Sequence, residues 1–236
     1  MRQDYTHIAV ILDRTGSMTA IRDDTIGGFN AFLQQQKAEP GFATLTLVQF
    51  DSQDPYEVIH RFKPIAEVPE LTRETYVPRA STPLLDAMGR GINDLESSLS
   101  QLAEADRPAR VVMVVVTDGQ ENASREFCKE QIEKMIKEKT KMIKEKTEKD
   151  GWQFVFLSAD LAAIRDAQDV GVDLSAALLY QKSGLGSKGA WSSLSVRLSD
   201  YRSARFERFM FLDEDRQHPD DPNKNPDDPS NKNNKS

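Results

Sequence analysis

Four short runs of the chain are apolar almost without interruption, at residues 7 to 12, 43 to 50, 110 to 117 and 152 to 157, and a weaker one follows at 177 to 181. Between them lie longer segments in which apolar side chains return with helical period, at about 18 to 37, 83 to 104, 122 to 149, 161 to 168 and 187 to 204. This alternation predicts an α/β fold: a doubly wound, mostly parallel central sheet flanked by helices on both faces. "YEVIHRF" follows "LTLVQFDSQDP" after a link too short for a helical crossover, so it is expected to pair as one antiparallel strand. In the first helix Ile21, Thr25, Phe29, Phe32 and Leu33 share a face. Gly27 and Gly28 interrupt it, each costing a helix about 1 kcal/mol relative to alanine. They point either to close packing of this helix on the sheet or to a kink.

Two segments depart from the pattern. Residues 134 to 140 and 141 to 147 are the same heptapeptide, "KMIKEKT", in direct tandem. Seven residues turn a helix through about 700°, so the second copy keeps Met and Ile on the same face while lengthening the rod by roughly 10 Å. A neutral or engineered insertion is the reading preferred over a dedicated partner arm. The other departure is the stretch 213 to 236, rich in Pro, Asp and Asn and nearly devoid of apolar side chains, which is expected to be a disordered polar tail.

Composition narrows the function. At 236 residues and 38% hydrophobic the chain supports one full-sized core and no second domain of similar size. A net charge of -7 leaves no basic surplus to neutralise phosphates, which argues against nucleic acid and against an anionic membrane surface as partners. Cys128 is the single cysteine, and the three histidines, His7, His60 and His218, are scattered, so neither an internal disulfide nor a histidine zinc site is expected. The first apolar run is too short for a signal peptide and "VVMVVV" too short to cross a bilayer, so the expected location is cytoplasmic. There the "NAS" sequon at Asn122 would carry no glycan.

The chemistry lies where the apolar runs stop. "AVILDRTGSM" passes from a buried strand straight into Asp13, Thr15 and Ser17, three oxygen-bearing side chains at alternate positions. On a parallel sheet, ligand sites form beyond the carboxyl ends of the strands. A second such run, "RVVMVVVTDG", ends in Thr117, Asp118 and Gly119, and "RASTPLLDAM" places Thr82 just before Pro83 at an expected helix start. Carboxylates and hydroxyls are hard donors suited to Mg²⁺ or Mn²⁺. Taken singly, each piece is also an ordinary turn or helix cap. Their joint appearance at three strand ends and helix starts is what points to a cation.

These motifs resemble those of von Willebrand factor type A (vWA) domains. "DRTGSM" is similar to the Asp-x-Ser/Thr-x-Ser motif, "STPLLDAM" to the second-loop Thr segment and "VVVTDGQEN" to the third-loop Asp-Gly. The likeness spans residues 5 to about 205 and looks nearest to bacterial, cytoplasmic, stand-alone members. It implies a Rossmann-like sheet with one antiparallel edge strand and a metal-ion-dependent adhesion site. The implied metal ligands are Asp13, Thr15, Ser17, Thr82 and Asp118, and the implied cofactor is Mg²⁺, with Mn²⁺ as substitute. The implied function is not catalytic: the module captures an Asp or Glu carboxylate of a partner protein. Two alternatives stand beside it. A haloacid-dehalogenase-like phosphoryl-transfer enzyme also places an Asp after its first strand, but wants a second Asp where Thr15 stands. The other is a metal-independent adaptor subunit of an ATPase complex. Neither nucleotide-binding glycine signature occurs, and the Gly-rich "SGLGSKGAW" at 183 to 191 reads as a loop into the last helix.

Overall fold

A computed structural model describes residues 1–145 and 151–216, the side chains of 141–145 excepted. Six strands, β1 (Arg2–Asp13), β2 (Phe42–Phe50), β3 (Glu57–Pro64), β4 (Pro108–Thr117), β5 (Gln153–Ser158) and β6 (Ala177–Leu179), form one sheet in the order β3-β2-β1-β4-β5-β6. All neighbours run parallel except β2 and β3, the expected antiparallel edge. Five helices alternate with them: α1 (Arg22–Ala38), α2 (Leu84–Ser100), α3 (Lys129–Glu145), α4 (Leu161–Asp169) and α5 (Gly184–Arg202). Among the described residues no helix is long and apolar enough to cross a membrane.

β1 reads as continuously apolar because it is covered on both sides. Ile8, Val10 and Leu12 pack with Phe29 and Phe32 of α1 and Trp191, Leu194 and Leu198 of α5. Ala9 and Ile11 point the other way, toward Leu84 and Met88 of α2, Ile132 and Ile136 of α3 and Ala163 of α4. The alternation of strand side chains thus feeds two separate cores from one strand.

Three expectations need correction. The glycine pair does mark a close approach, but to another helix and not to the sheet: a Cβ on Gly28 would sit 2.1 Å from Cδ1 of Trp191 in α5, whereas Gly27 has nothing within 4 Å. The third helix begins at Lys129, not near 122, because Asp86 of α2 draws the backbone N–H groups of Arg125, Glu126 and Phe127 onto its carboxylate and holds them out of a helix. The packed domain also runs past 205: Phe209 and Phe211 are buried in the α1/α5 core. Residues 213–216, counted with the tail from the sequence, form a 3-10 turn in which Arg197 pairs with Glu214 and Asp215. The rest of the tail lies outside the described residues.

Of the doubled heptapeptide, the first copy is packed, with Ile136 fully buried and Lys139 held over the Trp152 ring and paired to Glu96. The second copy continues the helix as far as Glu145, and its last two residues lie outside the described region.

His7 is wholly buried on β1, stacked on Phe62, with Nδ1 at 2.8 Å from the Thr44 hydroxyl and no partner for Nε2. Burial pushes its pKa down to about 3. The unfolded chain therefore binds a proton that the fold does not, and stability falls by about 1.4 kcal/mol per pH unit as pH drops below the unfolded value of 6.5. His7→Phe should remove that acid sensitivity in melts between pH 7 and 4. Thr44 keeps a partner in the variant, since the Tyr5 hydroxyl also reaches it at 2.8 Å.

Candidate functional site

The sheet order places β1 beside β4, and the two strands send their following helices to opposite faces. Their outgoing loops therefore diverge and leave a crevice at the carboxyl ends, the usual ligand position in such sheets. Asp13 ends β1 there, and Thr117 and Asp118 end β4.

Asp13 has no exposed surface. One carboxylate oxygen accepts from the Thr15 N–H at 2.6 Å and the other from the Thr117 hydroxyl at 2.6 Å. The Tyr76 hydroxyl donates to its backbone carbonyl, also at 2.6 Å. These bonds curl the chain after β1 so that Thr15 and Ser17 face the same point, and Gly16 lets the loop lie against the Ala80 carbonyl, to which it donates at 3.0 Å.

From Thr15 the site is a chain of oxygens. The Thr82 hydroxyl donates to the Thr15 hydroxyl at 3.3 Å, that hydroxyl lies 3.2 Å from the Ser17 Oγ, and Ser17 donates to Asp118 Oδ1 at 2.5 Å. Gly119 walls it closely, since a Cβ there would stand 3.5 Å from the Ser17 Oγ and 3.8 Å from the Thr82 Oγ1. All five residues singled out in the sequence, Asp13, Thr15, Ser17, Thr82 and Asp118, are thus brought together, from three loops.

Several residues that the sequence reading passed over hold these loops. Thr82 does not cap α2; its N–H donates to the Asn122 side chain at 2.9 Å, and Asn122 N–H returns a bond to the Thr82 carbonyl at 3.1 Å. Glu121 takes over the helix end by accepting from Leu85 N–H at 2.9 Å. Arg14, between Asp13 and Thr15, turns away and lies buried against Asp51 at 2.6 Å and Glu57. Asp51 also binds Arg79, whose N–H donates to the Arg14 carbonyl at 2.8 Å. One buried carboxylate on the loop after β2 therefore ties together the chain entering both other loops. "TDGQEN" carries a readable signal for this, a run of short polar side chains beyond a strand end; the Arg14–Asp51 pair has none, being 37 residues apart.

The electrostatics are those of two carboxylates withdrawn from water. Burial raises the Asp13 pKa to about 6, against the lowering effect of the Thr117 and Thr15 hydrogen bonds, and Asp118 nearby adds to the rise. Tyr76 and Tyr180 are likewise pushed up, first by burial and then by the two negative charges. The side chain of Asp118 has no exposed surface, and its Oδ2 has no hydrogen-bond donor. The Lys182 ammonium lies 2.6 Å from that oxygen, off hydrogen-bonding geometry, and is the cation that balances it.

The donor set fits a hard divalent cation: three neutral hydroxyls and two buried carboxylates. Among the described residues no three His, Cys, Asp or Glu side chains gather into a metal-binding group.

No protein-family model matches the chain, and no curated protein matches it. Solved structures do. The pilus adhesin SpaC from Lactobacillus rhamnosus GG, in an open conformation, superposes with TM-score 0.59 at 10% identity over 83% of this chain and 30% of its own. Proximal thread matrix protein 1 from the mussel byssus gives 0.56 at 13% identity, over 84% and 46%. A von Willebrand factor type A protein from Catenulispora acidiphila gives 0.51 at 8% identity, over 82% and 42%. The chain spans less than half the length of each. At such identities the likeness is one of fold, and the fold is that of a von Willebrand factor type A domain, as the sequence motifs imply.

Proposed function

We propose that the protein is a protein-binding module that holds a divalent cation, Mg²⁺ or Mn²⁺, at the crevice between β1 and β4 and through it captures an Asp or Glu carboxylate of a partner protein. The observation that carries this reading is the convergence of three hydroxyls and two buried carboxylates from three loops, with Asp118 Oδ2 met, among the described residues, only by the half-exposed Lys182 ammonium. Thr15, Ser17 and Thr82 would offer neutral oxygens. Asp118 and Asp13 would supply the negative charge, Asp13 also fixing the loop through its own hydrogen bonds. When bound, the cation supplies a Lewis-acidic position for one external carboxylate oxygen. Neutral hydroxyls preserve that acidity, because they donate less charge than carboxylates would. Catalysis is not part of the proposal: Thr15 stands where aspartyl phosphoryl transfer would need a second carboxylate. The acidic surface charge also supports a protein partner over nucleic acid.

Thermal melting tests the cation. At about a hundredfold excess over its dissociation constant, a bound ion adds about 2.7 kcal/mol, which for a chain of this size raises the melting temperature by about 5 °C. EDTA should reverse the rise. Asp13→Asn should respond differently in two ways. Because the folded pKa of Asp13 lies above the unfolded value of 3.8, its ionised form is disfavoured by folding, and stability is lost as pH rises through about 6. The variant, free of that burden, should melt higher than wild type in EDTA at pH 7, yet gain nothing from Mg²⁺. A Mg²⁺ shift that survives Asp13→Asn unchanged, or no shift in wild type, contradicts the proposal.

A further inference from the structure

The loop from β6 into α5 contributes to the crevice although nothing in its sequence marks it as doing so. Lys182, on this loop, brings its ammonium to 2.6 Å from Asp118 Oδ2 while its side chain stays 40% exposed. Asp118 itself is sealed, so the ammonium covers the carboxylate from the solvent side. Among the described residues no other cation pairs with Asp118.

The backbone that carries Lys182 is tightly fixed. Ser183 caps α5 by accepting from Gly186 N–H at 3.1 Å, and its own N–H donates to the Gln181 carbonyl at 2.7 Å. A Cβ on Gly186 would lie 2.2 Å from that carbonyl oxygen, and one on Gly184 would lie 2.7 Å from Asp24 Oδ1 of α1. The glycines of "SGLGSKGAW" therefore do not cradle a phosphate. Gly186 permits a turn that no larger residue allows, and that turn sets Lys182 over the site. Nearby, Asp160 at the amino end of α4 is held below the usual carboxylate range, against the raising effect of burial, by hydrogen bonds from the Gln120 side chain and the Ala162 and Ala163 N–H groups, to which the Lys182 charge adds.

We infer that Lys182 is the built-in competitor of the divalent cation: its ammonium neutralises Asp118 in the metal-free protein, and the ion binds only by displacing it. This rests on the cation-binding reading above. The electrostatic reason is simple. A buried carboxylate is costly unless it is paired, so the tethered ammonium stabilises the metal-free fold. The same contact reduces the fraction of molecules ready to receive an ion, and the apparent dissociation constant is the intrinsic one divided by that fraction. The device would keep the site closed at low divalent concentration and set the concentration at which it opens.

Calorimetric titration of Mn²⁺ into wild type, Lys182→Met and Lys182→Arg tests this, with melts of all three in EDTA. Removing the ammonium should tighten Mn²⁺ binding about tenfold or more and lower the melting temperature in EDTA. Lys182→Arg, which keeps the charge, should stay near wild type in both. Equal affinity in wild type and Lys182→Met overturns the competition while leaving the cation site standing. Absence of Mn²⁺ binding in both wild type and Lys182→Met overturns the cation site and the competition with it.

Discussion

Asp118→Ala is expected to abolish Mg²⁺-dependent capture of the partner. Asp118 is one of two carboxylates at the site and the one whose Oδ2 has no hydrogen-bond donor. Removing a unit charge about 4 Å from a cation, at the effective dielectric near a protein surface, costs about 4 kcal/mol, on the order of a thousandfold in affinity, for each unit of cation charge. The variant should still fold, because it also relieves the repulsion that Asp118 imposes on Asp13. Retention from solution on immobilised wild type and variant, each with Mg²⁺ or EDTA, reads the effect directly. Thr15→Ser serves as the matched control, since it keeps the hydroxyl. Capture by Asp118→Ala at wild-type strength, or wild-type capture indifferent to EDTA, would sink the proposed function.

Gly28→Ala should destabilise the fold by about 3 kcal/mol or more, opposite in sign to what helix propensity alone predicts. The added methyl would stand 2.1 Å from the indole of Trp191. That ring is 3% exposed and cannot swing aside, since Phe29 meets it edge-on at 5.9 Å and Phe32 flanks it at 5.7 Å between centroids. At Gly27, one residue earlier, no atom lies within 4 Å, so Gly27→Ala should stabilise by up to about 1 kcal/mol. The melting temperatures of the two variants should therefore move in opposite directions, with a fall of about 6 °C for Gly28→Ala. A parallel rise in both would mean that α1 and α5 do not pack as described.

The contrast between those glycines shows where sequence is legible. Local chemistry reads well: β1 is recognisable because both faces are buried, and Asp13, Thr15, Ser17, Thr82 and Asp118 because each sits where a strand stops or a helix is about to start. Contacts between distant segments do not. Gly28 announces a close neighbour but cannot name Trp191, 163 residues away, which only the packing of α5 on α1 supplies. The late start of α3 has the same origin, since residues 125 to 127 are withheld from the helix by Asp86. Lys182 belongs to this class too. It follows the weakest strand of the sheet, in a stretch whose glycines invite comparison with phosphate loops, and only the turn at Gly186 reveals that it faces Asp118. Phe209 and Phe211 look like part of a fading terminus until the core that receives them is seen.

The central claim is that one hard cation occupies the crevice formed by the three loops, and anomalous diffraction from crystals grown with Mn²⁺ tests it most directly. The account predicts a single strong peak enclosed by the oxygens of Thr15, Ser17, Thr82 and Asp118, with the Lys182 ammonium moved off Asp118. Crystals at saturating Mn²⁺ with no peak in that enclosure, and Lys182 still seated on Asp118, would contradict it.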